Sequence, residues 1–136
     1  MNAMTPYLNF DGKTGEAMKF YQACLGGELN IQTFKDAHMD QGDPRLADRV
    51  VHAVLRNGKA TLMASDTQPG HPFQQGNNLW VNVDCSVNEL DEFYRKLIEG
   101  GKVHMEPQDT FWGARFGMLT DRFGVNWMFN SEKPKS

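Results

Sequence analysis

Two predicted helices in this chain end at the same signal, which is a pair of adjacent glycines. The first helix is predicted over Gly15 to Leu25 and is followed by Gly26-Gly27. The second is predicted from a Ser86 cap through Glu99 and is followed by Gly100-Gly101. Glycine after the last helical turn adopts the left-handed conformation that ends a helix. Because one predicted strand precedes each helix and three follow it, the sequence predicts two copies of a β-α-β-β-β unit.

The predicted strands are short, rich in β-forming residues and bounded by turn residues. Asn57-Gly58 and the run Asp121 to Gly124 predict hairpin connections, and the polar stretches 36–48 and 65–76 predict surface loops. The strands are predicted at Thr5 to Phe10, Glu28 to Lys35, Arg49 to Asn57, Lys59 to Ala64, Leu79 to Val83, Lys102 to Pro107, Ala114 to Thr120 and Val125 to Asn130. We expect a single domain over residues 1–136 with an internal repeat of about 5–65 and 78–130. An unrelated α+β domain with two helices is the alternative.

Both predicted helices carry an apolar stripe at three- and four-residue spacing, so one face of each should pack on a sheet. Ser86 and Glu89 have the spacing of a capping box, and Thr14 or Asp11 is predicted to cap the first helix. The stripes consist of Ala17, Phe20, Tyr21, Cys24 and Leu25 in the first helix and of Leu90, Phe93, Tyr94 and Leu97 in the second.

Composition excludes several classes of partner. The chain has 136 residues with 14 Lys plus Arg against 17 Asp plus Glu, so its net charge of −3 offers no basic surface for nucleic acid and no polybasic patch for a membrane. We therefore expect a small organic ligand or a second subunit as partner. The two cysteines, Cys24 and Cys85, follow no metal or redox spacing and are predicted to be buried thiols. No signal peptide or membrane span is predicted, so we expect a soluble protein of the cytoplasm.

Several runs resemble the vicinal oxygen chelate superfamily, which includes glyoxalase I, bleomycin-resistance and fosfomycin-resistance proteins, and in particular its PhnB-like branch. The C-terminal run is the most specific. The matching runs are Pro6-Tyr7-Leu8-Asn9-Phe10, Ala17 to Gly27, Leu62-Met63-Ala64-Ser65-Asp66, Thr110-Phe111-Trp112-Gly113, Thr120-Asp121 and Phe123-Gly124-Val125-Asn126-Trp127-Met128. The resemblance implies an α+β fold in which two βαβββ modules form a cupped mixed sheet, and a homodimer whose cups hold the ligand.

The resemblance also implies a divalent metal held by His, Gln or Glu side chains in the cup, but this ligand set is broken here. Met128 stands where the superfamily's last strand offers Glu, and a thioether binds hard divalent cations poorly. Asn78 stands where the second half would carry His, and Pro6 and Tyr7 stand where the first strand would carry His or Gln. His52 matches a Glu ligand of glyoxalase I, but a lone imidazole makes no metal site. We therefore expect no cofactor, with a divalent metal as the less favoured alternative.

Alternation along the strands predicts which side chains face the cup. On this basis Asn78, Trp80 and Asn82 face the cup with Leu79, Val81 and Val83 behind them, and Asn126, Met128 and Asn130 face it with Val125, Trp127 and Phe129 behind. The predicted ligand-binding residues are Tyr7, Asn9, His52, Trp80, Asn82, Phe111, Trp112, Arg115, Asn126 and Met128. Neutral amides and flat aromatic rings favour an uncharged or planar organic ligand.

Each of the remaining candidate residues has two possible roles. Arg115 is the one cation expected to reach the cup, or else it pairs with Asp109 at the surface. His52 is a candidate general base and Asp66 a candidate to orient it, against a structural histidine and a loop cap. Phe111 and Trp112 close either the pocket or a dimer interface. His38, His71 and His104 are predicted to be surface residues.

Two functions follow from these residues. The first is a dimeric small-molecule-binding protein that holds an aromatic or amphipathic compound without bond chemistry, as bleomycin-resistance proteins do. The alternative is a metal-dependent enzyme of the glyoxalase or dioxygenase type with a rearranged site around His52. Some relatives are named as demethylubiquinone methyltransferases, but no glycine-rich loop after a strand is present to bind S-adenosylmethionine. A phosphonate-related role would rest on Arg115 alone.

Overall fold

In the computed structural model, which describes residues 1–132, the chain divides into two compact units, the first ending at Gln74 and the second beginning at Gln75. The elements of the first unit are β1 (Tyr7–Phe10), α1 (Thr14–Leu25), β2 (Glu28–Thr33), α2 (Pro44–Ala47), β3 (Val50–Asn57) and β4 (Ala60–Asp66). Those of the second are β5 (Val81–Asp84), α3 (Val87–Leu97), β6 (Lys102–Asp109), β7 (Ala114–Thr120) and β8 (Asn126–Glu132).

Each unit contains one four-stranded mixed sheet with the same arrangement of strands. The strand order is β1-β4-β3-β2 in the first sheet and β5-β8-β7-β6 in the second. The first and last strands of each unit pair in parallel, and the other pairs are antiparallel. The predicted α+β fold class is therefore confirmed, as is the predicted order of the strands and of the long helix in each half. No helix of the described chain has the length and apolar character needed to span a membrane.

One long helix packs on one face of each sheet. Ala17, Tyr21 and Cys24 of α1 are buried, as are Leu90, Tyr94 and Leu97 of α3. Phe20, Leu25 and Phe93 from the predicted stripes are only half-buried. On the sheet side, Trp127 and Phe129 alternate with half-buried neighbours along β8 and are themselves buried. The period-two burial of β8 confirms the predicted alternation of that strand.

Most predicted boundaries differ from the observed ones by one or two residues, and one predicted loop needs correction. Strand β1 begins at Tyr7 rather than Thr5, β2 ends at Thr33 rather than Lys35, α3 ends at Leu97 rather than Glu99, and β8 continues past Asn130 to Glu132. The strand predicted from Leu79 begins at Val81, and Leu79 is 81% exposed rather than packed behind the sheet. The stretch predicted as a loop between residues 36 and 48 contains the short helix α2, whose Asp43 cap accepts the N–H of Arg45. Strand β6 continues past Pro107 to Asp109, which an edge strand tolerates because the missing N–H faces no partner strand. Strand β4 continues past Ala64 to Asp66.

The two helices begin differently. Ser86 and Glu89 form the predicted capping box at α3, with Ser86 Oγ accepting the N–H of Glu89 and the Glu89 carboxylate accepting the N–H of Ser86. At α1, neither Asp11 nor Thr14 caps the helix as predicted. Asp66, at the end of β4, supplies the cap instead, since its Oδ1 accepts the N–H groups of Gly12 and Thr14. The cap comes from a residue distant in sequence, so local spacing did not reveal it.

The second glycine of each pair lies against the backbone of a neighbouring strand. A Cβ added to Gly27 would collide with the carbonyl oxygen of Arg56, and one added to Gly101 would collide with that of Thr120. Gly27 precedes Glu28, which pairs with Arg56, and Gly101 precedes Lys102, which pairs with Thr120. The repeated Gly-Gly therefore permits the same close approach at the start of β2 and of β6.

We expect Gly101→Ala to lower the free energy of unfolding by about 2 kcal/mol, because the Thr120 carbonyl is backbone and cannot rotate away from an added methyl. Urea denaturation followed by circular dichroism measures the change. Gly15→Ala is the matched control, since its added Cβ meets only Val50 Cγ2 at 3.9 Å and lies within α1. A loss at Gly101 no larger than that at Gly15 would contradict this account.

We expect Asp66→Asn to lower the free energy of unfolding by about 2 to 4 kcal/mol. The buried carboxylate accepts hydrogen bonds from the N–H groups of Gly12, Thr14 and Val50 and from the Thr14 hydroxyl. An amide replaces one acceptor oxygen with a donor and leaves buried donors unsatisfied. Asp48→Asn is the control, because it makes the same change at an exposed carboxylate just after α2. Equal stability of the two variants would show that the hydrogen bonds of Asp66 do not contribute to the free energy of unfolding.

Candidate functional site

In the first unit, the sheet face turned away from α1 carries the predicted site residues. We call it the first open face. Tyr7 lies opposite Met63, Asn9 opposite Ser65 and Gln32 opposite His52, and directly opposed residues share a face of the sheet. The face comprises Tyr7, Asn9, Glu28, Asn30, Gln32, His52, Val54, Arg56, Thr61, Met63 and Ser65. Its central residues are neutral apart from the imidazole, and Glu28 and Arg56 lie opposite each other at one end of it. The face brings together Tyr7, Asn9 and His52 as the sequence predicted.

Tyr7 and His52 form a hydrogen-bonded pair on this face. The Tyr7 hydroxyl lies 3.2 Å from His52 Nδ1, and the two rings stack with centroids 5.8 Å apart and planes 28° apart. The residues belong to β1 and β3, which flank β4, so their side chains meet across the middle strand. Tyr7 thereby fixes one hydrogen-bond contact of the imidazole, while its own side chain stays 46% exposed.

Asp66 does not belong to the first open face. It alternates with Ser65 along β4, so its carboxylate points to the side of α1, where it is buried. Both of its oxygens accept hydrogen bonds from the α1 entrance and from Val50. The expectation that Asp66 orients His52 is therefore corrected: the carboxylate caps α1 on the opposite face of the sheet, which is the second reading that its sequence position allowed.

In the second unit, the sheet face turned away from α3 carries the remaining strand residues of the predicted site. We call it the second open face. Asn82 lies opposite Met128, and Met128 lies opposite Met118 on its other side, while Trp127 and Phe129 point toward α3. The face comprises Asn82, Asp84, Lys102, His104, Met105, Gln108, Phe116, Met118, Thr120, Asn126, Met128 and Asn130.

A chain of hydrogen bonds crosses the second open face, and sequence analysis missed it. His104 Nε2 lies 2.7 Å from Thr120 Oγ1, and Thr120 Oγ1 lies 2.7 Å from Asn126 Oδ1. Asn126 Nδ2 in turn donates to the carbonyl oxygen of Leu79 at 3.2 Å. The Trp80 ring meets the His104 imidazole edge to face, with centroids 5.3 Å apart. His104 escaped prediction because the register of β6 shifts between Val103 and Met105, so simple alternation does not place it.

Arg115 does not reach the second open face, and this expectation is also corrected. Arg115 alternates with Phe116 and lies opposite Ser131, on the side of α3. Its Nε donates to Asp91 of α3 at 2.8 Å and its Nη1 donates to Asp109 at 3.2 Å. These hydrogen bonds raise the pKa of the guanidinium, and the bond to Asp91 has the larger effect. The ion pair with Asp109 was the second reading of the sequence, and the pair with Asp91 is new.

Phe111 and Trp112 form an exposed aromatic tip at the β6–β7 turn. Phe111 is 97% exposed and Trp112 is 58% exposed, and their rings pack edge to face with centroids 5.0 Å apart. The turn is closed below them by Thr110, whose N–H and hydroxyl both donate to the Ala114 carbonyl oxygen. The Trp112 ring also contacts that of Phe116, with centroids 6.3 Å apart, and the Phe111 ring is left almost fully exposed.

The donor chemistry of the two faces does not fit a bound metal ion. Within residues 1–132, no three His, Cys, Asp or Glu side chains come together in a group that could hold one. Each open face contributes one imidazole, and the position of the family's Glu ligand is the Met128 thioether.

The cysteines add no nucleophile to either face. Cys24 is buried and Cys85 is half-buried, so the prediction of buried thiols is confirmed fully only for Cys24, and neither forms a disulfide. Burial raises the pKa of the Cys85 thiol to about 11, and the carboxylates of Glu89 and Asp84 add to the effect. A thiol protonated at neutral pH is a poor nucleophile and a poor metal ligand.

Comparisons with known proteins agree with this architecture. Protein YjdN of Escherichia coli K12 is 30% identical over 141 residues, which cover 96% of this chain and 95% of that protein. The crystal structure of PA1353 from Pseudomonas aeruginosa is 37% identical and covers 98% of this chain and all of that one, with a TM-score of 0.87. A Bacillus cereus structure described as a putative 3-demethylubiquinone-9 3-methyltransferase, PhnB protein, is 26% identical, covers 96% and 99% of the two chains and has a TM-score of 0.76.

The family assignment rests on nearly the whole length of the chain. Residues 6–129 match the family described as Glyoxalase/Bleomycin resistance protein/Dioxygenase superfamily. The predicted resemblance to that superfamily, and to its PhnB-like branch, is confirmed by this match and by the PhnB protein among the similar structures. The chain, with its two helix-backed four-stranded sheets, is a member of the Glyoxalase/Bleomycin resistance protein/Dioxygenase superfamily.

Proposed function

We propose that this protein is a homodimer that binds an uncharged, planar organic molecule on the open faces of its sheets without a metal ion. The observation that carries the proposal is the chemistry of those faces. Amide, hydroxyl, thioether and aromatic groups line them, and the family's metal ligands are replaced. Such groups offer neutral hydrogen bonds and flat apolar walls, which match a neutral planar molecule better than an anion.

The charges of the two faces support a neutral ligand further. The guanidinium expected to bind a carboxylate or phosphonate, that of Arg115, lies on the α3 side with Asp91 and Asp109. Asp84, on the second open face, would repel an anion there. The cations that the strand register places on these faces lie at strand ends: Arg56, opposite Glu28, and Lys102, at the start of β6. A phosphonate ligand therefore finds no cation among the central residues of either face.

A methyltransferase activity, which the description of the Bacillus cereus relative suggests for that protein, finds no support in this chain. The turn between β1 and α1 is where a glycine-rich loop would present N–H groups to a nucleotide-like ligand. Here the N–H groups of Gly12 and Thr14 donate to Asp66. The groups that would hold such a cofactor are thus used inside the fold.

Binding is tested with neutral and charged aromatic probes. We expect coumarin and indole to raise the melting temperature by about 4 to 5 °C at ten times their dissociation constants, because ligand binding adds RT ln 11 to stability. Phenylphosphonate should produce no shift at the same concentration. Differential scanning fluorimetry measures all three. Stabilisation by phenylphosphonate alone would overturn the proposed ligand class.

A variant pair locates the binding. We expect Tyr7→Ala to weaken coumarin binding about tenfold through loss of the aromatic wall. Phe73→Ala removes an aromatic of similar exposure in the same unit, 40% against 46%, and should leave binding unchanged. Elemental analysis of the purified protein accompanies the titration. A metal held near one per chain, and released by His52→Ala, would replace this proposal with a metal-dependent enzyme centred on His52.

The aromatic tip supports the dimer, because two large rings with this exposure are costly in water unless covered. We expect light scattering to give a mass about twice the 15.4 kDa of the chain. The double variant Phe111→Ser, Trp112→Ser should shift the mass toward one chain, whereas Phe73→Ser should not. A double variant that stays dimeric would assign the tip to the ligand instead.

A further inference from the structure

The hydrogen bonds of the second open face fix the orientation of the Asn126 side chain. Its Nδ2 lies 3.2 Å from the carbonyl oxygen of Leu79, which has no hydrogen to donate. The amide end next to Leu79 must therefore be the NH2 group, and the oxygen Oδ1 must be the end next to Thr120. A backbone carbonyl thus determines the direction of every hydrogen bond that follows.

The direction passes from Asn126 to His104 through one hydroxyl. Thr120 Oγ1 lies 2.7 Å from Asn126 Oδ1, so the hydroxyl uses its single hydrogen on that oxygen. His104 Nε2 lies 2.7 Å from Thr120 Oγ1 and must be the donor of that bond. In the neutral imidazole the proton is then on Nε2, and Nδ1 carries an unshared lone pair.

That lone pair is available to a ligand. Within the part of the chain that the structure describes, Nδ1 of the exposed His104 has no hydrogen-bond partner. The Trp80 ring lies beside the imidazole with centroids 5.3 Å apart and planes 76° apart, and it is half-buried. An acceptor of fixed direction therefore lies next to a flat apolar surface.

We propose that His104 Nδ1 and Trp80 form a recognition site for a planar ligand that carries an O–H or N–H donor on its ring. The ring lies against Trp80 while its donor binds Nδ1, and Thr120 and Asn126 hold the imidazole in the accepting tautomer. This inference rests on the proposed function, since it names the chemical group that one of the two faces selects. Neither the family's metal positions nor the predicted site residues include His104 or Thr120.

The wild-type protein tests the tautomer directly. Two-dimensional NMR that correlates the imidazole carbons and protons with their nitrogens, recorded where the ring is neutral, distinguishes the two tautomers of His104. We expect the protonated nitrogen to be Nε2. We also expect phenol to bind about fivefold more tightly than anisole, which differs only in having a methyl ether where phenol has its donor, and to shift the Nδ1 signal. A proton on Nδ1, or equal binding of the two probes, would overturn the proposal.

Matched variants test whether the hydrogen-bond chain from Asn126 through Thr120 to His104 sets the preference for phenol over anisole. Thr120→Val removes the hydroxyl and should abolish both the single tautomer and the preference for phenol, whereas Thr120→Ser retains the hydroxyl and should preserve both. Trp80→Phe keeps a flat ring and should retain the preference, and Trp80→Ala should lose it. If phenol binds but shifts only signals of the first open face, the proposed function stands and this site is wrong. If Thr120→Val still binds phenol more tightly than anisole, the hydrogen-bond chain through Thr120 does not set this preference.

Discussion

Each unit has one long helix for one four-stranded sheet, and a single helix covers only one face. This constraint organises everything else in the molecule. Large apolar residues such as Trp127, Phe129 and Leu62 must alternate toward the helix, because their burial supplies the main free energy of folding. The side chains between them are then presented on the other face, where packing does not dictate their chemistry. Function is left to the residues that the core does not use.

The close approach at the Gly-Gly pairs keeps this arrangement in register in both units. Gly27 and Gly101 allow the chain that leaves each helix to enter the sheet against the carbonyl groups of Arg56 and Thr120. Their positions just before β2 and β6 fix where these edge strands begin. In the second unit, Thr120 takes part in both features. Its carbonyl oxygen lies against Gly101, and its hydroxyl oxygen lies 2.7 Å from His104 Nε2.

The two open faces share a chemical character but differ in detail. Each holds one histidine next to an aromatic ring: Tyr7 with His52 on β3, and Trp80 with His104 on β6. In the first pair either atom can donate, so the tautomer of His52 is open. In the second, the Leu79 carbonyl determines the donors, so the imidazole is held in one form. Within residues 1–132, neither imidazole is part of a group of three or more His, Cys, Asp or Glu side chains that could hold a metal ion.

The order of the strands and of the two long helices, the Gly-Gly stops, the Ser86 capping box and the alternation of β8 were all readable from the sequence, because each depends on residues close together in the chain. Tertiary structure decided what depends on distant residues. Asp66 became the cap of α1 because the parallel pairing of β1 with β4 brings it there, and Arg115 turned toward α3 because it lies opposite Ser131. His104 joined the second open face only through an irregular register in β6. Helix caps, helix stops and strand alternation depend on neighbours in the sequence. The partner of a long polar side chain instead depends on which strand or helix packs beside it.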